Sequence, residues 1–377
     1  LMGDINKQHP VLMMFYASSK TLNPISKIED LLEASRLFER VHLMNKKNHN
    51  LIKPNNLEPL INMIFLSFRT KVFRNVLPLA LEAFENNKDN EKLIEGLAIM
   101  NVLLGNNNEA IKYYKLLFLI NETRIIGRVP FLTCLNYASN VSQEFYLNEC
   151  LKYSKILEKD LIFEQSKKIS NKNKKIKVAF LSSDLKKHSV SFFLKDLLFN
   201  IDKKVIEIIV LSNLDKNKED RTSEFFKSLI SQWHVIFDKS DIEVIKLIKS
   251  LEIDILIDLN GLTKGSRIDI MKNRCAPIQI CWLGYNNSTG LKNMDYLIAD
   301  QNLIKKDEEN LYLEKILYLP KIWNAYSLPE ELPPINCQNK KDNSLFSYGS
   351  FNNFKKISDD TIEVWSKIIK NSKSQIY

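Results

Sequence analysis

Glycine is scarce in this chain, with nine residues in 377, and the five cysteines (Cys134, Cys150, Cys275, Cys281 and Cys337) form no C-x-x-C pair. That spacing excludes a zinc ribbon or a disulfide framework. Thiols in mostly apolar surroundings point to free, buried cysteines in a reducing compartment, so the chain reads as cytoplasmic. There is no P-loop and no G-x-G-x-x-G fingerprint, which removes two common glycine-rich phosphate cradles. There is also no D-x-D pair, the usual carboxylate clamp for a metal-bridged diphosphate. The early apolar run "VLMMFYA" at 11–17 is too short to span a bilayer and is followed by no cleavage-site pattern, although its composition also fits a poor signal-peptide h-region. The formal net charge is +9, yet lysine, asparagine and isoleucine are abundant throughout and no basic-aromatic motif accompanies the charge. Nucleic acid and membrane are therefore not the expected partners.

What is present changes character along the chain. Its length exceeds what one core usually serves, and the apolar fraction of 45% is ordinary for a globular protein. Over 1–163, and most clearly from about residue 25, apolar residues recur at three and four, with breaks at "ENNKDN" and "GNNN". That pattern predicts a stack of short helices. Ala98, Gly105, Ala110 and Tyr114 stand where a tetratricopeptide repeat has its small and aromatic packing residues, although any antiparallel helix pair uses small residues at its crossings. The polar, aperiodic stretch 164–175 reads as a linker. After it, "IKVAFLSS", "VIEIIVLSN", "WHVIFD", "IDILIDLNG" and "APIQICWLG" read as short buried strands, with helical patterns between several of them. Strand, helix, strand with apolar strands predicts an α/β domain over 176–330, its mostly parallel sheet covered on both faces. A second, proline-containing linker follows at 331–343, and 344–377 begins another strand, loop and helix.

In such sheets ligands bind beyond the carboxyl ends of the strands, and three polar loops fall there. The first holds His188, between a strand and a helix that starts near Ser189. Two readings fit it: a hydrogen-bonding or acid-base group, or a helix-start histidine bonded to backbone. The second, "DLNGLTKGSR", offers backbone amides and a cation to an anionic or sugar ligand through Asn260, Gly261, Thr263 and Lys264, while Asn-Gly is also an ordinary turn. The third is "GYNNSTG", with Gly284, Tyr285, Thr289 and Gly290. In "FNNFKKISDDTIEVW", Lys355 and Lys356 precede a helix capped by Ser358, a seat for a diphosphate unless Asp359 and Asp360 already complement the dipole. Without a D-x-D pair, cationic side chains and helix ends would carry the charge of such a leaving group.

Together "IKVAFLSSDLKKHSVSFFL", "ILIDLNGLTKGSR", "APIQICWLGYNNSTGLKNMDYLIAD", "YLPKIW" and "FSYGSFNNFKKISDDTIEVWSKIIKNSKS" resemble, in order and spacing, the protein O-linked N-acetylglucosamine transferase family (glycosyltransferase family 41), especially its bacterial and SPINDLY-like members. The stretch "RVPFLTCLNYASNVSQEFYLNECLKY" is similar to the connector between that family's repeats and its catalytic region. The resemblance covers about 128–377. It implies tetratricopeptide-like repeats followed by a GT-B catalytic region of two Rossmann-like lobes, the first over 176–330 and the second, from 344, cut short. It further implies an inverting, metal-independent transfer of a sugar from a nucleotide sugar to protein Ser or Thr, with no cofactor and with the acceptor protein held by the repeats. UDP-GlcNAc is the first expected donor. GDP-fucose, as for a SPINDLY-like O-fucosyltransferase, is the alternative, as is a repeat scaffold with a degenerate transferase domain. By the same likeness His188 is the active-site histidine, Lys356 neutralises the donor diphosphate with Asn353 beside it, and the two glycine loops face the substrates. Asn286 and Asn287 replace the family's usual Pro-Gly, and Leu262 occupies a position often held by His or Tyr. With the second lobe incomplete, these 377 residues alone are expected to have little or no activity.

Overall fold

The computed structural model describes residues 9–23, 26–47, 57–161, 175–230, 232–328, 334, 346–372 and 374–376. Both segments read as linkers lie outside these apart from Lys175 and Pro334, as does Cys337. The chain divides into two compact units, residues 1–140 with 345–377, and residues 141–344.

The first unit opens with seven helices, α1 (Pro10–Leu22), α2 (Ile28–Lys47), α3 (Glu58–Thr70), α4 (Val76–Glu85), α5 (Glu91–Leu104), α6 (Asn107–Ile120) and α7 (Arg128–Tyr137), and each packs on the next in sequence. The apolar faces of α1 to α5 meet in one core that includes Phe38, Leu60, Ile64, Leu93 and Leu97. Ala98, Ala110 and Tyr114 are fully buried, as the repeat-like pattern requires. Gly105 ends α5 in the left-handed region at φ +84°, and its N–H reaches the carbonyls of Asn101 and Val102. A side chain there would strain the backbone, so this turn needs its glycine. None of the described helices is long and apolar enough to cross a membrane.

The second unit begins with α8 (Gln143–Leu157) and then alternates β1 (Ile176–Ser182), α9 (Ser189–Asn200), β2 (Ile206–Ser212), α10 (Arg221–Leu229), β3 (Gln232–Val235), α11 (Asp241–Ser250) and β4 (Ile255–Asp258). The short helix α12 (Ile268–Met271), β5 (Ile278–Cys281), β6 (Tyr296–Ala299) and β7 (Lys315–Tyr318) complete it. All seven strands are parallel, in the order β3-β2-β1-β4-β5-β6-β7. Five of them coincide with the apolar runs read from the sequence. In the other two, β6 alternates half-buried and buried residues and β7 alternates exposed and half-buried ones, so neither shows a continuous buried run. Helix starts are set locally: Ser240 and Glu243 form a capping box on α11, and Asp220 and Ser223 form one on α10.

Although its periodicity groups α8 with the preceding helices, its side chains pack in the sheet unit. The Tyr146 hydroxyl bonds the Tyr285 hydroxyl and donates to the Ser288 carbonyl at 2.9 Å, and Lys292 pairs with Glu158 at 2.8 Å. A helical repeat specifies which face is apolar and leaves open what covers it.

The closing segment of the first unit is β8 (Ser347–Tyr348), α13 (Asp359–Ser372) and β9 (Gln375–Ile376), with the two strands parallel. It is tied to the helices where Asn107 Nδ2 donates to the Lys355 carbonyl at 2.8 Å.

In the sheet unit, a Cβ on Gly284 would lie 2.0 Å from the Leu259 carbonyl oxygen, so the β5 loop rests directly on the β4 loop. Backbone must move to admit even one methyl. Gly284→Ala is expected to destabilise the unit by about 1–3 kcal/mol, read as a lower midpoint in urea unfolding; an unchanged midpoint would refute this packing.

Candidate active site

The strand order reverses between β1 and β4, and the crevice beyond their carboxyl ends is where an open parallel sheet places ligands. The two loops leaving these strands are joined side chain to backbone. Asp258, fully buried at the end of β4, accepts from the N–H groups of Asn260 (3.0 Å) and Gly261 (2.9 Å), which folds the chain back on itself. That turn aims Asn260, only 1% exposed, across to the β1 loop. Its Oδ1 accepts from the Ser183 N–H at 2.9 Å, and its Nδ2 donates to Ser183 Oγ at 2.9 Å and to Asp184 Oδ2 at 2.8 Å. Gly261 and Gly265 have φ of +55° and +84°, and a Cβ on either would collide with Tyr285 or Ser183. Glycine is required at both for conformation and for space.

His188 stands at the start of α9. Its Nδ1 accepts from the Val190 N–H at 3.4 Å and lies 4.0 Å from Asp184 Oδ2, and 43% of the side chain is exposed. His188 thus caps the helix, and its imidazole still reaches solvent at the switch point. On the flank, burial alone would raise the Asp220 carboxyl, but N–H donors from Lys187, Ser223 and Thr222 hold it below the usual range.

The structure brings His188, Asn260, Gly261, Thr263 and Lys264 together. Thr263 Oγ1 closes its own turn on the Asn260 carbonyl at 2.7 Å, while the Lys264 side chain is exposed. Leu262 is buried in the same loop. In the "GYNNSTG" loop most of the named residues pack internally. Gly284 packs on the β4 loop; Tyr285, Thr289 and Gly290 are buried and occupied with structure. Thr289 gives its N–H and hydroxyl to Glu314, Ser288 bonds the same carboxylate, and Gly290 lies against Cys150 of α8. Burial raises the Glu314 carboxyl, although the hydroxyls of Thr289 and Ser288 act against that. Asn287 exchanges hydrogen bonds with Gln143 of α8, so this replacement fastens a helix. Asn286 is exposed.

Asn353 and Lys356 belong to the first unit. Asn353 Oδ1 accepts from the Lys355 N–H at 3.2 Å, and Ser358 Oγ caps α13 by accepting from the Thr361 N–H at 3.2 Å. Lys356 is exposed, its Nζ 5.8 Å from the centre of the Tyr137 ring. Lys355 is half-buried, and burial, then the charge of Lys71, lowers it from the ordinary lysine range. The amino end of α13 opens on a cleft of about 230 Å³ lined by residues 105–109, 137–139 and 357–359.

Sequence reading missed two carboxylates that shape the site, Asp184 and Asp258. The signal for Asp258 was available: an acid closing the apolar run "ILID" must be buried and needs donors.

Two expectations follow. Asn260→Ala removes the partner that Asn260 gives to the Ser183 N–H and to Asp184 Oδ2 and should cost about 2–3 kcal/mol in chemical unfolding, with a loss under 0.5 kcal/mol counting against the fork. Burial pushes the Asp258 carboxyl up to about 7, against the donors Asn260 and Gly261. The folded state thus keeps a proton that the unfolded chain releases near pH 4, so this contribution to stability is full below that pH and is lost as pH rises to about 7. The stability gap between the parent and Asp258→Asn, measured between pH 5 and 7.5, should narrow as pH rises; a constant gap would contradict the shift.

A model of glycosyl transferase family 41 matches residues 138–326, half of the chain. The protein of Oryza sativa subsp. japonica described as "Probable UDP-N-acetylglucosamine--peptide N-acetylglucosaminyltransferase SPINDLY" is 31% identical over 195 residues, 51% of this chain and 21% of that protein. A relative from Arabidopsis thaliana, carrying the same description but ending in SEC, is 26% identical over 205 residues, 52% of this chain and 21% of its own length. The match thus spans about a fifth of these curated relatives. Among solved structures, a mutant of the Thermobaculum terrenum O-GlcNAc transferase aligns with a TM-score of 0.75 at 19% identity, covering 100% of this chain and 69% of that one. That likeness establishes the shared fold, and the family match over half the chain establishes kinship: the chain belongs to glycosyl transferase family 41.

Proposed function

We propose that this chain serves a glycosyltransferase that moves a sugar from a nucleoside diphosphate onto a protein Ser or Thr hydroxyl, with inversion and without a metal. The observation that carries this reading is His188, an exposed imidazole at the switch point of a Rossmann-like sheet whose two adjoining loops are tied rigidly together. The hydroxyl oxygen would form a bond to the anomeric carbon as the bond to the diphosphate breaks, and the hydroxyl proton would pass to His188. One displacement inverts the centre. Charge on the leaving diphosphate would be met by Lys356 and by the amides of the α13 amino end, helped by Asn353. Asn260, Gly261, Thr263 and Lys264 would line the sugar side, and the helical array would present the acceptor protein. The names of the relatives favour UDP-N-acetylglucosamine as the donor.

The test is calorimetric titration of uridine and guanosine diphosphates and their sugars, with chelator present, into the product of the complete reading frame. Selective micromolar binding of the uridine compounds is expected. Selective guanosine binding would transfer the reading to a fucose-type donor, and binding of neither by folded protein would favour an interaction scaffold. In turnover assays His188→Ala is expected to lower kcat at least 100-fold with donor affinity retained, and Lys356→Ala to weaken diphosphate binding. Unaffected turnover in the double variant would remove both assignments.

A further inference from the structure

We infer that Asp184 is a positioning residue that selects the base-competent tautomer of His188, an inference that rests on His188 handling the acceptor proton. Two partners compete for one ring nitrogen. The Val190 N–H, 3.4 Å away, donates to Nδ1, whereas Asp184 Oδ2, 4.0 Å away, can only accept from it. The contacts exclude each other. A ring capped by Val190 keeps its lone pair at Nδ1 and its proton at Nε2; a ring facing Asp184 carries the proton at Nδ1 and frees the Nε2 lone pair. Only the second can take a proton from a hydroxyl at Nε2.

The balance of strength favours Asp184. The Val190 contact is neutral and longer than a usual hydrogen bond, whereas a bond to a carboxylate is charge-assisted and about twice as strong. A ring displacement of roughly 1 Å brings Nδ1 to bonding distance of Oδ2. The carboxylate itself is held in place. Asp184 is 17% exposed, Oδ2 accepts from Asn260 Nδ2 at 2.8 Å, Oδ1 accepts from Ser183 Oγ at 3.2 Å, and its carbonyl accepts from Ser191 Oγ at 2.9 Å. Other charged groups of the surrounding loops are Lys186 and Lys187 beside His188 in the chain, Asp220 and Arg221 at the start of α10, and Lys264 and Arg267 on the β4 loop. Of the two carboxylates, Asp220 already accepts from the Lys187 N–H at 2.8 Å, and Asp184 is the one near the ring. When the acceptor hydroxyl loses its proton to Nε2, the Asp184 carboxylate holds the imidazolium through Nδ1–H, so no further reactant is needed.

Nitrogen-15 spectra of histidine-labelled chain at pH 8 distinguish the two neutral tautomers. The chain has five histidines (His9, His42, His49, His188 and His234), and a His188→Gln spectrum assigns the relevant signals. The parent should show mainly Nδ1–H at His188 and Asp184→Asn mainly Nε2–H, because the new amide can donate to Nδ1. Asp184→Ser serves as the second variant should the first not fold. The same tautomer in the parent and a folded variant overturns the inference. In the product of the complete reading frame, Asp184→Asn should lower kcat 100- to 10,000-fold with little change in donor KM, and should move the acidic limb of the pH profile. The arms separate the failures: full turnover by His188→Ala would remove the catalytic reading while leaving the tautomer result standing, and an unmoved tautomer with a dead His188→Ala would remove only the role of Asp184.

Discussion

The amide of Asn260 is the hinge of the second unit. The chain reverses its progress across the sheet between β1 and β4, and at that place nothing in the backbone ladder joins the loops that leave the two strands. Asn260 supplies the junction by accepting from one main-chain N–H and donating to a hydroxyl and a carboxylate on the other loop. An amide is suited to this because it offers an acceptor and two donors with no charge to bury. Asp258 beneath it bears the electrostatic cost of being buried so that the turn carrying Asn260 has a single conformation. His188 depends on both, because the carboxylate beside its ring is held by Asn260.

A second polar cluster works the same way for a different purpose. Glu314, Ser288, Thr289, Tyr285 and Tyr146 are all buried and bonded to one another or to adjacent backbone, and they join the β5 loop to α8 and to the approach to β7. In a loop rich in glycines, asparagines and hydroxyls, Asn287, Ser288 and Thr289 are bonded to internal partners, while Asn286 is exposed. Glycine at 290 admits Cys150, and glycine at 284 admits the β4 backbone. These small residues mark close approach of chain to chain.

The amino-acid sequence by itself determined the class of each region. Recurrence at three and four made the helices α2 to α8, and apolar runs long enough to be covered on both faces made β1 to β5 parallel strands. Local chemistry also settled the ends: Ser358 before Asp359, Ser240 before Glu243 and Gly105 after Leu104 need only their own neighbours to cap or close a helix. His188 was legible as a helix-start residue at a strand end for the same reason. What only the tertiary structure decided were the pairings between distant segments: α8 with the β5 loop, Asn260 with Ser183 and Asp184, and the closing strand-helix-strand segment with α6 rather than with the large sheet. Periodicity encodes which face of an element avoids water and carries no address for the surface that will cover it, and a buried amide or carboxylate shows its partners only once the chain has brought them within hydrogen-bonding distance.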